Sequence, residues 1–341
     1  MYETINYSSI DNKELESFIL IDVRTAEEHA LETIPGSINM PIFNNEQRAE
    51  IGTVYVNGDV MKAKALGLRY AGANAEEMYL RLHSLVDNYD KLILYCARGG
   101  FRSSAPVNLY KSLGLPIFKL EGGYKRYRQY INSHLPEIIS QKSFIVLYGN
   151  TGCGKTELLK ELKDMGAPVI DLEDLANHKG SLLGTIGEAP QPTQKMFDSL
   201  LYNELKSQDS DVFFIEGESK RIGKLFLPDM LMDKLHSGIK VRVVSSLESR
   251  IERIKQEYVH DNDLELSNTI SLLNRYISLE KINEFKEDIY KHDYDHVIRE
   301  LIINYYDMKY ASKDKVFEFE VDNDSEDAAN KLMELLNSIT G

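Results

Sequence analysis

Short runs of β-branched and aromatic residues recur along the chain, separated by stretches whose apolar residues repeat at helical spacing. Residues 18 to 23 (FILIDV) and Leu92 to Cys96 read as strands, and Pro106, Val107, Tyr110 and Leu113 follow at helical spacing with Gly114 as a stop. Between these runs, residues 45 to 88 read as mostly helical, with Met78, Leu82, Leu85 and Val86 on one face, an insertion in the first domain. Ile117 to Leu120 is followed by Gly122-Gly123, which opens a helix predicted to run to about Ser133. His134 to Lys142 carries a proline and little pattern, which sets the expected boundary between domains 1–138 and 139–341. A second alternation follows, with strands at Phe144 to Tyr148, near Val169 to Leu172, at Val212 to Ile215 and at Val241 to Ser245, and a helix from Gly154. From Leu264 onward the chain reads as largely helical, closing on Ala328, Ala329, Leu332, Leu335 and Leu336. Strands alternating with helices imply parallel sheets covered on both faces, so the expected class is α/β in two domains.

With 341 residues and 43% hydrophobic composition the chain can build two real cores. It has only two cysteines, and Met1 to Asn12 shows no basic segment followed by an apolar core. The expectation is a cytoplasmic monomer with free thiols and no membrane association. A formal charge of −14 argues against a general nucleic-acid binder, yet Asp90 to Tyr130 holds eight basic residues against two acids, a local +6 that leaves −20 for the rest. Within this strip Lys125, Arg126 and Arg128 alternate with Tyr124, Tyr127 and Tyr130, an arrangement suited to phosphate contacts and to stacking of unstacked bases. The other reading makes Tyr127 and Tyr130 the buried face of a helix.

The stretch YCARGGFRSS places Cys96 between a strand and a helix, where backbone N–H groups point outward without partners. Arg98 and Arg102 add full charges, and both effects favour a thiolate. Gly99 and Gly100 let the backbone curl around whatever the sulfur carries. The spacing of Cys96 and Arg102 fits a cysteine phosphatase, whose loop encloses a phosphate, and a loop of that length equally holds a phosphate-bearing donor, so transfer and phosphatase chemistry both stay open on geometry.

The second motif, Gly149-Asn150-Thr151-Gly152-Cys153-Gly154-Lys155-Thr156, follows a strand and opens an amphipathic helix. Its N–H groups and the helix N-terminus favour phosphate, Lys155 adds a mobile charge, and the Thr156 hydroxyl can ligate Mg²⁺. Cys153 reads as a small filler. Val212 to Ile215 ends in Glu216-Gly217-Glu218, where such a protein often keeps an acid for metal or water. Arg250 and Arg253, one helical turn apart, can serve as lid arginines on phosphate or as a surface ion-pair set.

Asp22-Val23-Arg24, then Glu27 or Glu28, the segment Ile34 to Pro41, the Cys96 loop and Leu120-Glu121-Gly122-Gly123-Tyr124 resemble the rhodanese family over about residues 15 to 131. A rhodanese-like domain followed by a P-loop domain resembles the tRNA 2-selenouridine synthase family. Further stretches carry the likeness: Arg48 with Gly52 to Tyr55, Ala65-Leu66-Gly67, His178-Lys179-Gly180-Ser181, Gln191 to Gln194, Glu216 to Ser219 with Ile222-Gly223, and Tyr305-Tyr306-Asp307 with Tyr310. Ala97 and Lys179 depart from the family pattern, where Trp and Arg are expected. The resemblance implies replacement of sulfur by selenium at the 2-position of the wobble uridine of tRNA, through an S-geranyl-2-thiouridine intermediate. Geranyl diphosphate and selenophosphate are the implied substrates, Cys96, Arg98 and Arg102 carry the selenium step, and no tightly bound cofactor is implied, with Mg²⁺ a candidate at Thr156. Two alternatives stand beside it: a P-loop kinase-like enzyme with a rhodanese sulfur-relay or phosphatase-like module, and a non-enzymatic redox-sensing adaptor.

Overall fold

The structure, a computed structural model, describes residues 3–13, 15–179, 189–259, 263–310 and 316–340. It forms two compact units, Met1–Leu135 with Asp198–Leu200, and Pro136–Phe197 with Leu201–Gly341. Among the described residues no helix is long and apolar enough to cross a membrane.

In the first unit five parallel strands lie in the order Thr4–Ile5, Ile117–Leu120, Lys91–Tyr95, Phe18–Asp22, Ile38–Asn39. Ile21 sits opposite Leu94, so the two β-rich runs bury each other's branched side chains at the centre of the sheet. The insertion consists of helices Asn45–Val56, Val60–Ala73 and Ala75–His83. Leu82 is fully buried in the sheet's core cluster, and Met78, Leu85 and Val86 pack against it, as their spacing predicts. The strands Thr4–Ile5 and Ile38–Asn39 are two residues each, too short to leave a periodic signal.

At the end of this unit an expectation changes. Helix Gly123–Gln141 runs unbroken past Ser133 and through Pro136. An interior proline ordinarily costs ~3 kcal/mol. Here Tyr124, Tyr127, Arg128, Ile131, Leu135 and Ile139 form one buried face at helical spacing, and that packing holds the helix together across the proline.

The second unit carries a parallel sheet in the order Phe319–Asp322, Ile239–Val244, Ser143–Tyr148, Val212–Glu216, Val169–Ile170. Leu158, Leu159 and Leu162 from helix Lys155–Asp164 share its core with Leu332 and Leu336 from the closing helix Ala328–Thr340. Phe319–Asp322 interrupts the stretch expected to be helical. It is an edge strand in which only Val321 is buried, so its sequence carries no apolar run. Helices Leu247–Tyr258, Asp263–Ser271, Leu279–Tyr290 and Tyr294–Leu301 follow the fourth core strand, and the last three gather round Ile270, Phe285, Ile289, Val297 and Leu301. The parallel α/β architecture expected in both halves is present. Gly180 and Ser181 lie outside the described residues.

Candidate functional site

Strand Lys91–Tyr95 ends at Cys96, and helix Phe101–Ser112 begins after Gly100 with no side chain among the described residues capping its first turn. Unfilled N–H groups are therefore available to a bound anion. The thiol lies at the floor of the loop: Cys96 is buried, with Sγ 3.2 Å from the Ser103 hydroxyl. A second segment clamps the loop from outside. Tyr124 N–H donates to the Cys96 carbonyl and Lys125 N–H to that of Ala97, both at 2.9 Å, and Lys119 Nζ donates to the Gly99 carbonyl at 3.1 Å. Gly123, at φ +59°, leaves no room for a side chain, because a Cβ there would lie 2.1 Å from the Cys96 carbonyl oxygen.

The two arginines of the motif separate. Arg98 is exposed. Arg102 forms a two-pronged ion pair with Glu28, whose other role is to close the capping box on Thr25 at the start of helix Ala26–Leu31. Partial burial works against the Glu28 charge, but the bonds and charge of Arg102 outweigh it and hold the carboxyl below its ordinary range. Asp22 and Arg24 pair beneath the sheet's C-terminal edge, with Arg24 Nη2 2.7 Å from Asp22 Oδ2 and its guanidinium 4.4 Å from the Tyr124 ring centre. These two positions support the clamp segment rather than face the thiol.

In the second unit the loop 149–154 turns between strand Ser143–Tyr148 and helix Lys155–Asp164, with Gly152 and Gly154 at φ +78° and +82°. Lys155 Nζ folds back across the loop to the Gly149 carbonyl at 3.1 Å. The Thr156 hydroxyl donates to Glu173 Oε2 at 3.2 Å, and Glu173 N–H donates to Glu216 Oε1 at 2.8 Å. Glu216 is 3% exposed, and its Oε2 has no hydrogen-bond partner among the described residues. Burial, then repulsion from Glu218, pushes Glu173 up to about 8; burial, then Asp171 and Glu173, raises Glu216 well above its ordinary value. Burial works against the Lys155 charge, and neighbouring acidic groups, Cys153, Glu173, Glu218 and Glu216, more than offset it. Glu173 was missed in the sequence because it lies on helix Leu172–Ala176 in no motif; only the fold brings it to Thr156.

Arg250 and Arg253 reach the loop from its outer side, and the geometry makes them supports rather than lid arginines. Arg250 is buried, forks onto both oxygens of Asp307 and donates Nε to the Thr151 carbonyl at 2.9 Å. Arg253 bonds Ser245 Oγ at 2.7 Å and pairs with Glu157 at 3.0 Å. Cys153 is 1% exposed within the core cluster, a filler as its position suggests, and both cysteines are free thiols.

The basic strip divides by helical phase. Lys125 and Arg126 are exposed, Arg126 pairing with Glu121, whereas Arg128 is buried and bonds Asn132 Oδ1 at 2.8 Å. Tyr124 and Tyr127 are buried, and Tyr130 bonds Asp11 at 3.0 Å and stacks on His134. These rings build the helix face and do not present stacking surfaces.

Residues 8–130 match the rhodanese-like domain family, and residues 142–278 match the tRNA 2-selenouridine synthase AAA domain. The chain is 34% identical over 265 residues to the tRNA 2-selenouridine synthase of Nitrosomonas eutropha, covering 75% of this chain and 68% of the relative. It is 35% identical to that of Hydrogenovibrio crunogenus, covering 75% and 72%, and 32% identical to that of Bdellovibrio bacteriovorus, covering 77% and 70%.

Because the folded carboxyl of Glu28 ionises more readily than an unfolded one, its contribution to stability is present above the ordinary glutamate range and is lost as pH falls through the lower folded value. Glu28→Gln is expected to lower stability at pH 7 and to flatten the acid limb of the stability profile below about pH 4.5. Thermal unfolding of both proteins between pH 3 and 7 reads this directly.

Proposed function

The chain belongs to the tRNA 2-selenouridine synthase family, and from that premise we propose how its two anion loops divide the replacement of sulfur by selenium. The reading rests on one observation: each unit carries, at the C-terminal edge of a parallel sheet, a backbone cradle for an anion, one with a thiol at its floor and one with a lysine across it.

The phosphate loop holds the diphosphate of geranyl diphosphate. The 2-thiouridine sulfur attacks the allylic carbon, the carbon–oxygen bond breaks, diphosphate leaves with the bonding pair, and the uridine N3 proton passes to solvent. Lys155 and the N–H groups of residues 151 to 156 hold the leaving group. Thr156, Glu173 and Glu216 are hard oxygen donors, and the unpartnered Glu216 Oε2 fits a divalent cation such as Mg²⁺, which when bound would neutralise diphosphate charge.

Alkylation changes the fate of the sulfur. A thiocarbonyl sulfur leaves poorly, whereas the geranylated sulfur departs as geranyl thiol while selenium bonds to C2; water cleaves the phosphorus–selenium bond, its oxygen leaves with phosphorus as phosphate, and its protons go to the thiol and to uridine N3. The Cys96 loop holds selenophosphate, its oxyanion on the loop N–H groups and Arg98, with the Cys96 thiol turned to the selenium species. Arg102 positions this loop through Glu28. In this reading the protein acts in the cytoplasm on the anticodon region of tRNA, with Lys125 and Arg126 contacting phosphate and Arg128 serving structure.

Lys155→Ala is expected to lower geranylation of 2-thiouridine tRNA by about 10²-fold or more. Mass analysis of the wobble nucleoside checks this, and intact geranylation in that variant, or ATP turnover without tRNA, would favour the kinase-like alternative. Cys96→Ala should geranylate normally and stall, so that S-geranyl-2-thiouridine accumulates and selenouridine does not form. Replacing Lys125 and Arg126 together by alanine should reduce the slope of log affinity for tRNA against log salt by about two. An unchanged slope in a filter-binding titration would remove them from the docking surface.

A further inference from the structure

At the rim of the Cys96 loop stands an exposed aromatic ring. Phe101, the first residue of helix Phe101–Ser112, is 74% exposed and directly follows Gly100, whose carbonyl oxygen lies 3.9 Å from Cys96 Sγ. The loop is open on this side: a Cβ built on Gly100 would meet nothing within 4 Å, whereas one on Gly99 would lie 3.2 Å from Gly122 N. Lys64, on helix Val60–Ala73 of the insertion, places its ammonium 5.1 Å from the Phe101 ring centre. That helix buries only Ala63 and Leu66, and Met61, Lys64 and Leu68 follow one another at helical spacing on an exposed face. It carries Lys62, Lys64 and Arg69 with no acid, and helix Phe101–Ser112 has no acid either. The side chains of Lys64 and Arg98 pair with no acid among the described residues. In a chain of formal charge −14, such a surface is arranged for a polyanion.

Chemistry at C2 of a uridine demands access. Cys96 lies at the floor of its cradle, 3% exposed, and the base has to leave its stack in the RNA and enter edge first, which turns one of its faces to the rim. Leaving the stack is unfavourable unless another ring replaces the lost neighbour. Phe101 is the single aromatic residue of the loop 96–102, while Tyr124 and Tyr127 on the clamp side are buried. A base with its phosphate satisfies ring and lysine together. A protein partner would cover the ring but would have to bring its own acids to Lys64 and Arg98.

We propose that Phe101 is the platform on which the wobble uridine stacks when it is turned out toward Cys96, with Lys64 on the adjoining phosphate. The inference rests on the selenium reading of the Cys96 loop given above and adds the residues that seat the base. Stacking needs a flat π-face, so another ring serves at this position and an aliphatic side chain does not.

The chain contains no tryptophan, so Phe101→Trp places a single indole at the rim. Its fluorescence is expected to fall when a 2-thiouridine anticodon stem-loop RNA is added to the full-length variant, and to stay unchanged with the same RNA lacking the wobble base. Phe101→Leu should lower kcat/KM for conversion of S-geranyl-2-thiouridine tRNA by about tenfold at fixed selenophosphate, whereas Phe101→Tyr stays within about twofold. The position is exposed, so all three variants should unfold at the temperature of the wild type. Lys64→Ala should reduce the slope of log affinity for tRNA against log salt by about one, and an unchanged slope would overturn its phosphate contact. Quenching that persists without the wobble base would put a neighbouring base on the ring and overturn the assignment. No quenching in a Phe101→Trp protein that still binds the RNA, or an unchanged rate in Phe101→Leu, would remove the ring from the RNA interface and leave this face to a protein partner. Selenouridine formed by Cys96→Ala would overturn the selenium reading itself, an outcome read independently of the quenching.

Discussion

A loop that binds an anion through its backbone must turn consecutive N–H groups inward, which turns its carbonyls outward, and those carbonyls need donors from somewhere else. Both loops of this protein meet that requirement from distant parts of the chain. Around Cys96 the donors are Lys119 and the N–H groups of Tyr124 and Lys125. Around the phosphate loop Arg250 serves Thr151, Asn323 serves Cys153 at 3.0 Å and Gly154 at 3.3 Å, and Lys155 serves Gly149. The cradle is thus set before any ligand arrives, which is what electrostatic preorganisation demands. The close approach at Gly123 and at Gly154, where a Cβ would meet Asn323 Nδ2 at 2.3 Å, is the steric side of the same arrangement.

This requirement also explains what could be read from the sequence and what could not. The cysteine loop and the phosphate loop are contiguous, and their meaning lies in spacing over a few residues, so both were legible together with the strands that feed them. The groups that hold them were not. Asp307 reaches Arg250 across 57 positions and Asn323 reaches the Cys153 carbonyl across 170, and nothing local marks either as a partner. Glu173 stands 43 positions from Glu216. Arg128 misled in the opposite way. Alternation with tyrosines read as a surface strip, but on a helix Tyr124, Tyr127, Arg128, Ile131 and Leu135 share one face, and that face is buried. The short edge strands escaped because an edge with at most one buried residue has no pattern to show.

Electrostatics divides the labour within the second unit. Glu173 and Glu216 are close enough, and dry enough, to oppose each other's ionisation, and the same acids favour the charge on Lys155. A site so arranged holds carboxyl groups whose ionisation awaits a compensating charge, beside a lysine whose charge is favoured. It suits a ligand whose own charge is shared between a lysine and a cation, as a departing diphosphate requires.

The two thiols show why the loops are not interchangeable. Cys153 belongs to the core cluster with Leu158 and Leu162, and Gly149 packs so closely on it that a Cβ there would lie 2.5 Å from its sulfur. An anion in the phosphate loop is therefore held without meeting the Cys153 thiol. Cys96 instead faces a hydroxyl and the loop's own backbone, so whatever anion occupies that cradle lies beside sulfur. A leaving group belongs in the first kind of site and a reacting donor in the second. That difference follows from where each cysteine packs, not from the strand–loop–helix geometry the two loops share.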